Sequence, residues 1–136
     1  MDDFKVEFMS CASIGFLTKI TEQIKPIKVY DNFKESRLQL LKDQKDKIGV
    51  YCLVNLINGN IYIGSSINLA SRMRNYLNNT FLKSKKNHNM PIVKALLKYG
   101  QNNFAVMIVE YVDVKNLSIR ETYYITKNNK IIIMDF

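Results

Sequence analysis

The sequence predicts an α+β fold, with a small three-stranded, mainly antiparallel sheet that opens with a hairpin and is flanked by helices. Three observations carry this. Residues 48–57 form a Val-, Leu-, Ile- and Tyr-rich run that is followed by Asn58-Gly59 and a second β-favouring run to Gly64. Apolar residues then recur at helical spacing on both sides of a Lys- and Asn-rich stretch, residues 78–89. A third apolar run, residues 104–112, is followed by a further helical pattern. With 136 residues, 47% hydrophobic and 24% charged, the chain has room for one core and the composition of a folded domain.

Residues 1–47 read as an N-terminal extension or connector, in which Leu38, Leu40 and Leu41 lie in a charged segment, 32–47, that forms one short helix or a charged link. Residues 48–136 read as the folded domain. Asn58-Gly59 predicts a type I′ turn, which needs positive φ at both central residues. The hairpin is expected to set Tyr51 and Tyr62 facing each other across the strand pair. Ser65, Ser66 and Asn68 offer N-cap oxygens to a helix whose Leu69, Met73, Tyr76 and Leu77 share a face, with Arg72 and Arg74 flanking it. Residues 78–89 read as a loop. Pro91 suits the first turn of a second helix carrying Ile92, Val93, Ala95, Leu96 and Leu97, and Gly100 closes it. Residues 104–112 read as a buried strand. Residues 116–125 follow as a helix that brings Leu117, Arg120, Glu121 and Tyr124 to neighbouring positions, and residues 131–134 read as a packed strand or tail.

The charge is uneven along the chain. Twenty Lys and Arg against 12 Asp and Glu give a formal charge of +8, of which residues 1–47 carry +1 and residues 48–136 carry +7. Between Asp46 and Glu110 there is no carboxylate side chain, while Arg72, Arg74, Lys83, Lys85, Lys86, Lys94 and Lys98 all fall in that window. Such a stretch suits a polyanion, and a nucleic acid held through it would release counterions and bind less tightly as salt rises. Two cysteines rule out a disulfide framework, and no Cys/His spacing suits a structural zinc. No apolar run approaches the roughly 18 residues of a membrane span. Asp2, Asp3 and Glu7 are unlike an Arg-rich import presequence, so no cleavable targeting signal is expected.

Gly49-Val50-Tyr51, ten residues, Tyr62-Ile63-Gly64, then Arg72 on the next helix and Glu121 on the last resemble, in order, the motifs of the GIY-YIG nuclease family. The wording of Lys28-Val29-Tyr30, residues 38–47, Leu56-Ile57-Asn58-Gly59, residues 62–69 and residues 120–125 is similar to GIY-YIG homing endonucleases encoded in fungal mitochondrial group I introns. Leu97-Lys98-Tyr99-Gly100 and Asn103-Phe104 resemble the family's linker between its second helix and third strand.

The resemblance implies an endonuclease that hydrolyses DNA phosphodiester bonds. Such chemistry needs a base for the attacking water, a cation against charge developing on phosphorus and help for the leaving oxygen. Tyr51, hydrogen-bonded to Tyr62, would orient or deprotonate the nucleophile, Arg72 would stabilise the transition state, and Glu121 would bind one divalent ion, Mg²⁺ or Mn²⁺. His88, the sole histidine, lies where the family places a further catalytic histidine. Arg74, Lys83, Lys85, Lys86, Lys94 and Lys98 would contact the nucleic-acid backbone. The resemblance also implies a mitochondrial location.

One departure bears on activity. Where the family has a Tyr-Asn pair beyond the glutamate, residues 128–136 offer no counterpart, and no C-terminal DNA-binding region is present in the sequence. This implies weak activity or, alternatively, a catalytically inactive relative that binds structured RNA, such as a structural component of a mitochondrial ribonucleoprotein like the mitoribosome.

Overall fold

Strands whose residues are apolar at nearly every position belong in the middle of a sheet covered on both faces. The computed structural model, which describes residues 11–128, bears this out for two strands. Strands β1 (Lys28–Tyr30), β2 (Gly49–Asn55), β3 (Ile61–Ser66) and β4 (Phe104–Tyr111) form one antiparallel sheet in the order β1-β4-β2-β3. Every residue of β2 is buried, as are the first six of β4. The helices are α1 (Cys11–Ile24), α2 (Arg37–Asp43), α3 (Leu69–Leu77), α4 (Asn79–Lys83), α5 (Pro91–Tyr99) and α6 (Val114–Lys127).

Strand alternation divides the core in two. Tyr51, Leu53, Phe104, Val106 and Ile108 face Leu69 and Met73 of α3, Leu82 of α4 and Leu96 of α5, with Leu40 of α2 and Phe33 closing that layer. Val50, Cys52, Val54, Ile61 and Met107 face the opposite way, against Ile20 and Ile24 of α1 and Leu117 and Tyr124 of α6. Burial pushes the Cys52 thiol up to about 12, so it acts as a small apolar side chain.

The fold class is as the sequence indicates, with two corrections. The sheet has four strands rather than three, because β1 covers the free edge of β4, with Val29 opposite Met107. Strand β1 is only three residues long and follows Pro26, too short for an alternation to register in the sequence. The hairpin turn is not of type I′. Gly59 takes φ +80°, whereas Asn58 stays out of the positive-φ region. The connection is wider because the buried Asn55 side chain organises it, its Oδ1 accepting from Ile57 N (2.8 Å) and Asn58 N (3.4 Å). Gly59 is needed twice over, since a Cβ there would also sit 2.9 Å from the Phe16 ring of α1.

Residues 11–47, the described part of the segment expected to be an extension or connector, pack into these layers: α1 lies on one face, β1 joins the sheet and α2 lies against α3. Asn78, at the head of the stretch read as a loop, caps the short α4 by accepting from Thr80 N and Phe81 N. Pro91 at the start of α5 and Gly100 at its end take the expected places. The strand or tail anticipated at residues 131–134 lies outside the described residues.

Phe33 is fully buried, and Phe33→Ala is expected to cost about 3–5 kcal/mol. Urea unfolding followed by circular dichroism should show one transition moved to lower urea. A loss confined to a minor early phase would mean that residues 28–47 unfold separately.

Candidate active site

Helix α3 is placed by its first turn. Asn68 has extended backbone and its side chain accepts from Ser71 N at 3.1 Å, while Leu69 N and Ala70 N donate to the carbonyls of Lys47 (2.9 Å) and Gln44 (3.3 Å). Arg72 and Tyr76, four residues apart, then share the face turned to the sheet. Arg72 Nη1 donates to Tyr51 Oη at 3.2 Å, and the hydroxyls of Tyr51 and Tyr76 lie 2.9 Å apart. The two rings meet edge to face, 6.1 Å between centroids.

Tyr51 is 3% exposed. Burial raises its pKa well above the ordinary phenol value, and Tyr76 adds to this, while Arg72 works in the opposite direction. Tyr51 is therefore a neutral phenol at any physiological pH. Burial opposes the charge of half-buried Arg72, but the oxygens of Tyr51 and Tyr76 outweigh it and the guanidinium stays cationic.

Register explains where the second motif glycine is needed. Tyr51 stands opposite Gly64, and Tyr62 opposite Leu53. A Cβ on Gly64 would lie 2.5 Å from Tyr51 Oη and 2.6 Å from its Cζ, so the Tyr51 ring lies across the space a side chain would fill. The expected Tyr51–Tyr62 hydrogen bond is thus corrected. The two residues share a sheet face but are diagonal rather than paired, and Tyr51 Oη bonds to Tyr76 and Arg72. Tyr62 is half-buried, with its ring 6.5 Å from that of Phe104.

Glu121 approaches from the other side. Ser65 follows Gly64 in β3, so its side chain emerges on the α6 face, where its Oγ donates to Glu121 Oε1 at 2.7 Å. Neighbouring Arg120 is turned away to β4, where its Nε donates to Glu110 Oε1 at 2.8 Å, and it packs over the rings of Tyr123 and Tyr124 at 4.4 and 5.3 Å. This clamp fixes the rotation of α6 that presents Glu121 to β3. Tyr51 and Arg72 therefore lie on one face of the sheet and Glu121 on the other, with β3 the outermost strand.

His88 is not drawn into this cluster by any direct contact. It is exposed, and its Nδ1 lies 3.0 Å from the carbonyl of Lys85 and 3.2 Å from that of Ser84. Arg74, Lys83, Lys85, Lys86, Lys94 and Lys98 are all exposed, on or between the helices that cover the Tyr51 face. Two partners escaped the sequence reading. From the sequence Tyr76 belongs to the apolar face of its helix, and its spacing from Arg72 is the one available signal; Ser65 is there a capping candidate.

Among the described residues no three His, Cys, Asp or Glu side chains cluster as a ready-made metal cage. The donor set nevertheless fits Mg²⁺ or Mn²⁺. Such ions keep several waters and take one or two carboxylates together with substrate phosphate oxygens, and Glu121 keeps its Oε2 clear of hydrogen bonds to described residues.

A family model for the GIY-YIG catalytic domain matches residues 47–134. The chain belongs to the GIY-YIG family. It is 36% identical over 106 residues to a probable intron-encoded endonuclease 1 of Neurospora crassa, a match that covers 73% of this chain and 32% of that protein. The chain thus spans about a third of the length of this curated relative. The catalytic domain of the homing endonuclease I-TevI superposes with a TM-score of 0.51 at 22% identity, covering 65% of this chain and 100% of that one. A mutant of the same catalytic domain gives a TM-score of 0.51 at 22% identity, covering 61% and 84% respectively. These structures share its fold. No helix among the described residues of this GIY-YIG chain is long and apolar enough to cross a membrane.

Tyr51→Phe removes the oxygen that holds Arg72 and Tyr76 and is expected to destabilise the domain by about 1–3 kcal/mol. The pH dependence follows from the raised pKa of Tyr51. Above pH ~10 phenols of the unfolded chain lose their protons while Tyr51 keeps its own, so this contribution is complete below pH ~10 and lost above it. Urea titrations at pH 8 and pH 11 should show a smaller drop in Tyr51→Phe than in the parent. Equal drops would mean that Tyr51 ionises freely in the folded chain.

Proposed function

We propose that this chain is a GIY-YIG endonuclease domain that hydrolyses DNA phosphodiester bonds with the help of one divalent ion, Mg²⁺ or Mn²⁺. The observation that carries this reading is the pairing of Arg72 with Tyr51 on one side of β3 and of Glu121 with Ser65 on the other. A scissile phosphate laid against this sheet edge would meet a cation from one side and a carboxylate from the other.

Each residue then has a task. Arg72 holds charge that develops on the phosphoryl oxygens, and its hydrogen bond to Tyr51 pre-orients the guanidinium. Tyr51, buried and neutral, is a positioning residue. Tyr62, half-buried on the same face, is the more accessible phenol for orienting the attacking water and taking part in its deprotonation. Glu121 is the carboxylate that would hold the divalent ion, and Ser65 fixes its rotamer. When bound, the ion would act as a Lewis acid on phosphate oxygen. Exposed Arg74, Lys83, Lys85, Lys86, Lys94 and Lys98 would follow the backbone, and no carboxylate between Asp46 and Glu110 repels it. His88 would join them from its loop as a phosphate neighbour. The similarity to a probable intron-encoded endonuclease supports nuclease action, and a mitochondrial site of action goes with the motif resemblance to fungal mitochondrial intron proteins.

Incubation with supercoiled plasmid and Mg²⁺ or Mn²⁺ is expected to yield nicked circles, and EDTA to stop the reaction. Arg72→Ala and Glu121→Ala should each slow nicking by about 10²–10³-fold. Salt-sensitive binding with no nicking by the parent chain would instead favour the inactive, RNA-binding reading.

A further inference from the structure

We propose that Lys34 and Arg37 form a second phosphate-binding site, a groove contributed by the segment that precedes the family-matched residues and suited to the DNA backbone away from the scissile bond. The proposal rests on the endonuclease reading for the identity of the polyanion.

A groove of about 190 Å³ is lined by Lys34, Arg37, Leu77, Asn79 and Gln101. Two cations and two amides line it and no carboxylate does; Glu35, the nearest acid in sequence, is not part of it. Among the described residues neither Lys34 nor Arg37 has an ion-pair partner, and both are exposed. The Arg37 side chain is oriented by a hydrogen bond from Nη1 to the Lys34 carbonyl at 2.8 Å, which leaves further guanidinium N–H donors for a ligand. Two cations beside a concavity that no carboxylate lines suit an oxyanion.

The groove is tied to the catalytic helix. Leu77 is the last residue of α3, and Gln101 Nε2 donates to the Tyr76 carbonyl at 3.4 Å, one residue along the chain. Tyr76 is the residue whose hydroxyl meets Tyr51. Helix α2, which begins at Arg37, packs against α3, the helix that carries Arg72 and Arg74. A strand of DNA whose scissile phosphate lies at the β3 edge would run along α3 towards this groove. Both cations precede residue 47, where the family model begins, so they add a contact that the shared domain does not contain.

The test is fluorescence anisotropy of a labelled DNA duplex with the full chain, titrated over a range of salt concentrations. Each lost phosphate contact lowers the log-log salt slope by about 0.9. Lys34→Ala/Arg37→Ala is therefore expected to weaken binding and to flatten the slope by about 1.8 relative to the parent. Lys34→Arg/Arg37→Lys should keep the slope, and Lys19→Ala, an exposed lysine on α1 across the sheet, should bind as the parent does. Melting curves establish that each variant is folded. An unchanged affinity and slope in the double alanine variant overturns the proposal, as does a parent chain with no salt-dependent binding to the duplex. Plasmid nicking is scored separately, so a parent that binds but does not cut counts against the endonuclease reading while the slope comparison still decides the groove.

Discussion

Tyr51 lying across Gly64 is the constraint on which the site depends. The phenol reaches α3 only because the residue opposite it in β3 has no side chain, and it meets Arg72 and Tyr76 there because those two residues are one helical turn apart. A side chain at Gly64 would push the ring out of a core in which it is 3% exposed. Close packing leaves it no other position. Burial keeps the Tyr51 phenol protonated, and Arg72 beside it remains cationic.

The sheet edge then organises everything polar. β3 is the outermost strand, so groups from either face can reach past it without penetrating the core. Arg72 arrives from the α3 face, and Glu121 arrives from the α6 face through Ser65. Two opposite charges thus lie on opposite faces of the sheet, Arg72 bonded to Tyr51 and Glu121 to Ser65. Arg120, next to Glu121 in the sequence, is engaged instead by Glu110 of β4.

Much of this was legible in the sequence because it rests on local pattern. Asn-Gly between β-rich runs marks the hairpin, Pro91 and Gly100 bracket α5, and the ordered motif residues point to the family. Parts that depend on long-range geometry were not legible. β1 is three residues long and gains its stability from β4, 76 or more residues away, with Tyr30 opposite Val106. The partner of Tyr51 depends on register, and a register two residues different would have faced it with Tyr62. That Glu121 and Arg72 lie on opposite faces was within reach, since Ser65 and Gly64 alternate along β3, but only once the pairing of Ser65 with Glu121 is known. Lys34 and Arg37 looked unremarkable in a segment of nearly balanced charge, and only folding sets them beside a groove without carboxylates.

In the proposed function, Arg72 and Glu121 act from opposite faces of the sheet on one phosphate. Single-turnover DNA cleavage by the parent, Arg72→Ala, Glu121→Ala and the double variant tests it most directly, because groups that serve one transition state are not additive. Each single variant is expected to lose most of the rate, and the double variant to be little slower than the worse of the two. Two independent losses that simply multiply, or a single variant that cleaves at the parent rate, would contradict it.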